Sequence, residues 1–285
     1  MSFFRKNSNL YLTLVRLKRN RLAMLGLIVM VLLVLIAILA PLIAPYHYAV
    51  QNLSEAFEPP SWQHPCGTDE FGRDILSRLI YGAQISLQVG ILAVVSAMLI
   101  GGGLGAIAGY YGGKIDDIIM RAMDVLLSIP QILLAVAIAA TLGPGLLNLT
   151  IAVGVAALPT FARVVRGAVL SIAEQEFIEA AHCMGASDFW IITRHILPNC
   201  SAPIIVQATL RVAQAILAAA ALSFLGLGIQ PPFPEWGGML AAARGFIRGY
   251  SYMTIFPGLA IMITIMSLNF LGDGLRDAMD PKLKR

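Results

Sequence analysis

Three polar side chains interrupt the apolar stretch at residues 203–227. Gln207, Arg211 and Gln214 follow one another at intervals of four and three residues, which places them on one face of an α-helix. A polar face of this kind can line a water-filled pathway through a membrane, or it can hydrogen-bond a neighbouring helix. The spacing therefore predicts a polar strip and leaves these two roles open.

The long apolar stretches lack the usual chemistry of carriers and intramembrane enzymes. They contain no Asp, Glu, Lys or His, and Arg211 is their one arginine. A carrier driven by protons or sodium normally has a carboxylate at mid-depth, and an enzyme needs a nucleophile with a base or a set of metal ligands. His64 with Cys66 supplies only two ligands. We predict no catalytic residue, no metal site and no cofactor in this chain.

A second candidate site is a pair of short helices in the polar segment 163–199. Ser171 and Glu174 have the spacing of a capping box, which predicts a helix that begins at residue 172 and ends near Gly185. A second helix is predicted from residue 187, with Pro198 ending or kinking it. Exposed acids and apolar rings around a glycine would form a projection that fits a groove on another protein.

The composition indicates which kind of scaffold must position these residues. Of the 285 residues, 58% are hydrophobic and 13% are charged, and the formal net charge is +4. A soluble domain has about a quarter of charged residues, so both a water-soluble and a disordered protein are excluded. The net charge is too small to suggest a nucleic-acid partner. Three cysteines without a CxxC spacing imply no disulfide framework.

Uncharged stretches predict an all-α, polytopic membrane protein with six transmembrane helices. The run at 125–162 is too long for one span, so Gly143-Pro144-Gly145 near its middle predicts a turn between two spans. The predicted spans are residues 22–44, 83–109, the two halves of 125–162, 203–227 and 252–271.

Lysine and arginine are concentrated on one side of these predicted spans. They cluster in residues 1–21, 110–124, 163–199 and 273–285, which predicts that both termini are cytoplasmic. Segment 1–21 mixes leucines with basic residues, as in an amphipathic interfacial helix, although a disordered basic tail fits as well. The chain then divides into the cytoplasmic segment 1–21, the first transmembrane helix 22–44, an extracytoplasmic loop 45–78, a five-helix core 79–272 that includes the loop 163–199, and a cytoplasmic tail 273–285.

Small residues recur at a helical interval in the second predicted span. Gly101, Gly105 and Gly109 are four residues apart and therefore share one helix face. The absence of side chains on that face predicts close contact with the backbone of another helix. Packing is favoured over phosphate binding, because the sequence around Lys114 lacks P-loop spacing.

Several motifs in the chain resemble those of one transporter family. Glu179-Ala180-Ala181, followed by Gly185 and Leu197-Pro198, is similar to the EAA loop in the membrane subunits of ATP-binding-cassette (ABC) importers. His195 stands where isoleucine is common in that motif. Segments 64–74, 222–237 and 269–281 resemble the second, C-type permease of the peptide/nickel branch, and they occur in the same order.

The resemblance implies a type I ABC importer permease fold in a bacterial cytoplasmic membrane. It implies that this chain forms half of a translocation pathway for dipeptides or oligopeptides, or for nickel or glutathione-like cargo. A second homologous permease would complete the pore, and an extracytoplasmic binding protein would deliver the cargo. Two cytoplasmic ATPases would bind ATP and Mg²⁺, and Glu179, Ala180, Ala181 and Gly185 would dock in an ATPase cleft.

Polar and aromatic residues of the predicted outer loops have two possible roles. Asp69, Arg73 and Asp74 are expected to pair with one another, and contact with the binding protein or the cargo is the alternative. Trp236 is expected to be an interfacial anchor or a docking residue for the binding protein.

Two other classes of protein fit the same hydropathy pattern. A self-sufficient channel or secondary carrier would transport without an ATPase, and it would leave the segment 179–185 without a role. A structural membrane scaffold would tolerate apolar replacement of Gln207, Arg211 and Gln214.

Overall fold

A computed structural model describes residues 15–279, and this part of the chain is helical, with one isolated β-bridge between Thr68 and Asp74. The outer loop has a short 3₁₀ turn at Leu53–Glu55, a second one follows α11 at Arg244–Phe246, and Ile192–Ile196 is a π-helical turn. The α-helices in chain order are α1 (Arg21–Ile38), α2 (Ala40–Ile43), α3 (Ile75–Tyr111), α4 (Gly113–Leu127), α5 (Gln131–Leu142), α6 (Leu146–Ala173), α7 (Glu176–Cys183), α8 (Asp188–Ile191), α9 (Leu197–Asn199), α10 (Ser201–Phe224), α11 (Trp236–Ala243) and α12 (Tyr252–Met279).

Five of these helices are long and apolar enough to cross a membrane: α1, α3, α6, α10 and α12. The pair α4 and α5 gives a sixth candidate, but the two helices meet at 86°. With 12 residues, α5 extends only about 18 Å. The third span therefore differs from the uninterrupted helix expected from residue 125 onward.

The break between α4 and α5 has a local and a tertiary cause. Pro130 precedes α5 and cannot donate the backbone hydrogen bond that would continue α4. Asp116 and Asp124 on α4 pair with Arg166 and Arg163 on α6, and the Arg163–Asp124 contact measures 2.6 Å. These ion pairs join α4 to α6, and residues 125–127, where the third span was predicted to begin, form the end of α4.

The turn between α5 and α6 was correctly predicted. Gly143 ends α5 with φ 81°, and Gly145 begins α6 with φ 143°, a region that glycine adopts without a steric penalty. The amide of Gly145 donates to the carbonyl of Gly228 at 3.2 Å, which joins this turn to the segment after α10.

The glycine stripe packs α3 against α6, and this prediction is confirmed. A Cβ atom added to Gly101 or Gly105 would collide with a backbone carbonyl of α6, and one added to Gly109 would lie 2.9 Å from the Arg166 oxygen. The absent side chains let the two helices approach until backbone meets backbone. This pair forms the centre of the largest apolar core, with Ala97, Ala152 and Phe161 among its buried members.

Helix α1 packs on α12 at the edge of the bundle. Gly26 lies against the backbone at Ser267, and Ala23 fills the space beside Gly274. The opposite side of α1 exposes leucine, isoleucine and valine, as expected of a helix that faces lipid. In the amphipathic segment predicted at 1–21, residues 15–19 are helical and Arg21 begins α1, whereas residues 1–14, like residues 280–285 of the predicted tail, lie outside the described residues.

Buried charges hold the loop at 45–78, and the predicted pairing is confirmed for Asp69 and Arg73 but not for Asp74, which pairs with His64 instead. Asp69 accepts from the Nε atom of Arg73 at 2.6 Å, and both side chains are buried. Asp74 lies 2.9 Å from the Nδ1 atom of His64, and its other oxygen caps α3 by accepting from the amide of Ser77 at 2.7 Å.

Neither role expected for Trp236 is correct. Its side chain is 1% exposed, and its indole N–H donates to the carbonyl of Leu79 at 3.1 Å. Trp236 therefore anchors α11 inside the protein and contacts neither the membrane interface nor an external partner.

Candidate functional site: a projecting knob and three cavities

The knob, defined as residues 176–199, follows α6 at the end of the bundle opposite the outer loop. The predicted helix start at residue 172 is wrong, because α6 continues to Ala173 and α7 begins at Glu176. The hydroxyl of Ser171 donates to the carbonyl of Ala168 within α6 and caps no new helix. Gly185 ends the first helical segment with φ 79°, which confirms its predicted left-handed conformation.

One face of the knob is buried against the spanning helices. Ile178, Ala181 and Ile191 belong to a core cluster that also contains Val165 of α6 and Ala106 of α3. Ala181 is only 2% exposed. This third residue of the Glu179-Ala180-Ala181 motif therefore supports the knob from within.

The opposite face of the knob is exposed and largely apolar. Glu179 and Ala180 point outward, and the exposed fraction is 79% for Met184 and 76% for Phe189. Trp190 is also exposed. Large apolar side chains clustered on a projecting surface indicate a protein–protein contact. The structure thus brings Glu179, Ala180 and the Gly185 turn onto one outward surface and directs Ala181 inward.

Hydrogen bonds join the knob to the C-terminal end of α3. The hydroxyl of Tyr110 donates to one carboxylate oxygen of Asp188 at 2.9 Å, and the hydroxyl of Tyr111 donates to the other at 3.2 Å. The Tyr110 oxygen also lies 3.2 Å from Nε2 of His182. Sequence reasoning missed these tyrosines because they are more than 70 residues from their partners in the chain.

The polar strip on α10 is divided between two cavities. Arg211 donates to the side-chain oxygen of Gln214 at 2.7 Å, and Gln214 lines a cavity of about 390 Å³ together with Gln131 of α5. Gln207 lines a separate cavity of about 700 Å³, which also contains Arg276. The structure therefore brings Arg211 and Gln214 together and leaves Gln207 facing a different space.

A third cavity, of about 620 Å³, lies at the other end of the bundle. Gln84 and Gln88 of α3 line it, together with Tyr81. Sequence reasoning overlooked these two glutamines, although an interval of four residues in an uncharged stretch is the same signal that identified the strip on α10.

Metal-ligating side chains form no candidate centre in this part of the chain. Among residues 15–279, no group of three or more His, Cys, Asp or Glu side chains could hold a metal ion. His64 is already held by Asp74 and by Glu55, whose carboxylate lies 3.5 Å from its Nε2 atom.

A bundle of spanning helices with polar cavities and a projecting apolar surface defines a class of protein: a membrane transport subunit that works with a partner. The comparison with protein families agrees with this class. The family described as binding-protein-dependent transport system inner membrane component matches residues 101–285, and the N-terminal TM domain of oligopeptide transport permease C matches residues 8–60. The chain belongs to the binding-protein-dependent transport system inner membrane components.

Curated relatives cover nearly the whole chain. A dipeptide transport system permease protein of Alkalihalophilus pseudofirmus is 53% identical over 269 residues, which are 94% of this chain and 88% of the relative. A di/tripeptide permease protein of Pseudomonas aeruginosa is 47% identical over 93% of this chain and 89% of its own length. A glutathione transport system permease protein of Escherichia coli is 49% identical over 94% of this chain and 89% of its own length.

Solved structures support the fold. The inward-facing MetNI methionine ABC transporter superposes with a TM-score of 0.59 at 20% identity, over 72% of this chain and 98% of the other. An amino acid ABC transporter gives a TM-score of 0.52 at 16% identity, over 70% and 93% of the two chains. The protein thus has the type I ABC importer permease fold. It is a multi-pass inner-membrane permease subunit of a binding-protein-dependent transport system and not an enzyme.

Proposed function

We propose that this chain is one half of the translocation pathway of an ATP-driven importer for dipeptides or short oligopeptides. A second homologous permease forms the other half, two cytoplasmic ABC ATPases bind ATP and Mg²⁺, and an extracytoplasmic binding protein delivers the cargo. The similarity to dipeptide and di/tripeptide permease proteins supports this cargo class. The glutathione permease relative is consistent with it, because glutathione is also a small peptide.

The exposed surface of the knob is the observation that carries the proposal. Glu179, Ala180, Met184 and Phe189 are all exposed on the knob, which gives it an acidic and apolar outer surface. Such a surface is suited to a helix-in-groove contact, here with a cleft of an ATPase subunit. Gly185 shapes the surface through its left-handed turn, and Ala181 supports it from inside.

The cavities along α10 support a transport pathway. Gln214, whose side-chain oxygen accepts from Arg211, places a polar group at a cavity between spanning helices, where lipid could not satisfy it. Gln207 faces the cavity nearer the knob, so the three residues would line successive parts of one route. We propose that both termini and the knob face the cytoplasm, whereas residues 163–173 of the predicted loop belong to α6.

A pull-down tests the proposal. The tagged chain would be recovered from detergent-solubilised native membranes, and wild type would be compared with Glu179→Lys. We expect wild type to bring down an ATPase and a second permease. The variant should recover about tenfold less ATPase than wild type, because the charge reversal lies on the exposed knob. It should recover as much of the second permease as wild type does.

The matched control is Asp117→Lys, which reverses an exposed acid on α4, outside the knob. It should retain the ATPase. Equal loss with both variants would contradict a contact at the knob. A wild-type chain that imports peptide alone in liposomes would contradict the importer assignment and favour a self-sufficient carrier.

A further inference from the structure

A cavity of about 620 Å³ opens where α3, the α5–α6 turn and the segment after α10 meet. Its volume falls within the range of about 300–1,000 Å³ that is common for small-molecule sites. In the proposed orientation this is the extracytoplasmic end of the bundle, where cargo enters. The cavity is distinct from the two that the α10 strip lines.

Two glutamines of a spanning helix face this cavity. Gln84 and Gln88 lie on one face of α3, and both side chains are exposed in the isolated chain. An amide that faced lipid would have no hydrogen-bond partner, and the cost of several kcal/mol makes that arrangement rare. These two amides are therefore directed at water or at a bound polar molecule.

The remaining lining is mostly apolar, with aliphatic side chains, aromatic rings and prolines, and it contains no charged side chain. Gln230 contributes a third amide, while Tyr48, Tyr81 and Phe233 contribute rings. The rings of Tyr48 and Tyr81 contact each other edge to face at 5.0 Å. Amides both donate and accept hydrogen bonds, so they match the N–H and C=O groups of a peptide bond, and the rings offer apolar contact to variable side chains.

The walls of the cavity are fixed in place by a buried arginine. The Nη1 atom of Arg78 donates to the carbonyls of Tyr48 at 3.2 Å and Pro232 at 3.4 Å. Arg78 is buried, so its charge is engaged in the wall and is not presented to a ligand. An uncharged cavity with three amides among largely apolar walls is suited to short peptides of many sequences.

We propose that this cavity is a peptide-binding site of the permease itself, in which Gln84 and Gln88 hydrogen-bond the peptide group of the cargo. The inference rests on the proposed function, since it names the place where this chain first holds the peptide. The binding protein would release cargo into this site before the pore opens toward the cytoplasm.

Import by the complete transporter in proteoliposomes tests the site. Gln84→Leu/Gln88→Leu would be compared with wild type at saturating binding protein loaded with the dipeptide Ala-Ala. Removal of two amides that bind cargo should slow import about tenfold. ATP hydrolysis and the recovery of all subunits should remain at the wild-type level. Gln51→Leu, an exposed glutamine of the outer loop that does not line the cavity, is the matched control and should import normally.

Cysteine protection gives a second, direct measurement. Gln88→Cys would be placed in a Cys183→Ser background, because Cys183 is the exposed native thiol in the described residues. Ala-Ala with the binding protein should slow maleimide labelling of residue 88 several-fold. Free alanine, which has no peptide bond, should not slow the labelling of residue 88. Gln51→Cys should be labelled at the same rate under all conditions.

The outcomes separate the two proposals. If wild type does not import peptide, the proposed function fails. If wild type imports and Gln84→Leu/Gln88→Leu imports equally well, the cavity is not a cargo site. If the variant loses the second permease in a pull-down, the cavity is a subunit interface, and the inference is overturned.

Discussion

At the scale of single residues, the Glu179-Ala180-Ala181 motif contains neighbours with opposite roles. Ala181 is buried between α6 and α3, whereas Ala180 is exposed on the knob. We expect Ala181→Leu to overpack the cluster and to destabilise the knob by about 1–3 kcal/mol. Limited proteolysis should then cut within residues 176–199 faster than in wild type.

The matched variant Ala180→Leu separates packing from docking. Because its side chain points outward, it should leave proteolysis unchanged and reduce only the recovery of the ATPase. Faster cleavage of both variants would contradict the assignment of the two alanines to opposite faces.

The cysteines offer a prediction about pH. Burial, with a smaller contribution from the charge of Asp74, raises the pKa of the Cys66 thiol to about 11. A raised pKa keeps this thiol protonated and unreactive at neutral pH. We expect maleimide to label exposed Cys183 first, and labelling of Cys66 should keep rising with pH beyond about 9, where an ordinary thiol levels off.

Mass spectrometry of tryptic fragments would measure this order of labelling. Cys183→Ser should leave the folded protein nearly unlabelled at neutral pH, since Cys66 and Cys200 are buried. Rapid labelling of Cys66 in the folded protein at neutral pH would contradict its burial in the outer loop.

At the scale of elements, the contact between α3 and α6 depends on residues without side chains. A side chain at Gly105 would collide with the carbonyl of Ala162, whereas nothing lies within 4 Å of a Cβ atom at Gly103. We expect Gly105→Leu to force the helices apart and to destabilise the protein by about 1–3 kcal/mol. Gly103→Leu, two residues away on the exposed face, should be tolerated.

Thermal unfolding in detergent and the yield of folded chain measure this difference. The Gly105→Leu chain should have a lower midpoint and a lower yield than the Gly103→Leu chain. Equal behaviour of the two variants would mean that the glycine stripe does not determine the packing of α3 on α6.

The sequence predicted the elements well where the signal is local. Hydropathy located the long spans, and Gly143-Pro144-Gly145 located a turn, because lipid contact and glycine conformation act on the residues themselves. The end of α4 was missed although Pro130 marks the break in the sequence, whereas the pairing of Asp116 and Asp124 with partners 50 and 39 residues away on α6 gave no sequence signal. Tertiary ion pairs of this kind leave no periodic pattern in a single sequence.

The same limit applies to the candidate site, whose local features were predicted and whose tertiary contacts were not. The motif at 179–185 and the strip on α10 were visible in the sequence, but the inward direction of Ala181 and the separation of Gln207 from Gln214 depend on neighbouring helices. Trp236 shows the same limit, since an aromatic residue in a proline-rich loop resembles an anchor until α3 is packed against it.

At the scale of the whole molecule, the knob is joined to the two helices that form the main core. Its buried face packs on Val165 of α6, and Asp188 accepts hydrogen bonds from Tyr110 and Tyr111 of α3. Because α3 and α6 contact each other backbone to backbone at the glycine stripe, we expect a displacement of the knob to move them together. The cavity of about 620 Å³ is lined by α3 and by the start of α6, so the same two helices extend from the knob to the proposed cargo site.

We expect that a variant in which this connection is weakened imports less peptide for each ATP hydrolysed. Tyr110→Phe/Tyr111→Phe keeps both rings and removes the hydroxyls that hold Asp188, while the exposed face of the knob is unchanged. The ATPase should still bind, but the knob should move more independently of α3, so we expect the peptide imported per ATP to fall about three- to tenfold. Parallel assays of import and phosphate release in proteoliposomes would measure this ratio. The control Tyr46→Phe, which removes a hydroxyl in the loop at 45–78, should keep the wild-type ratio. An unchanged ratio in the double variant would mean that contacts of the knob with α6 alone couple the ATPase to the pore.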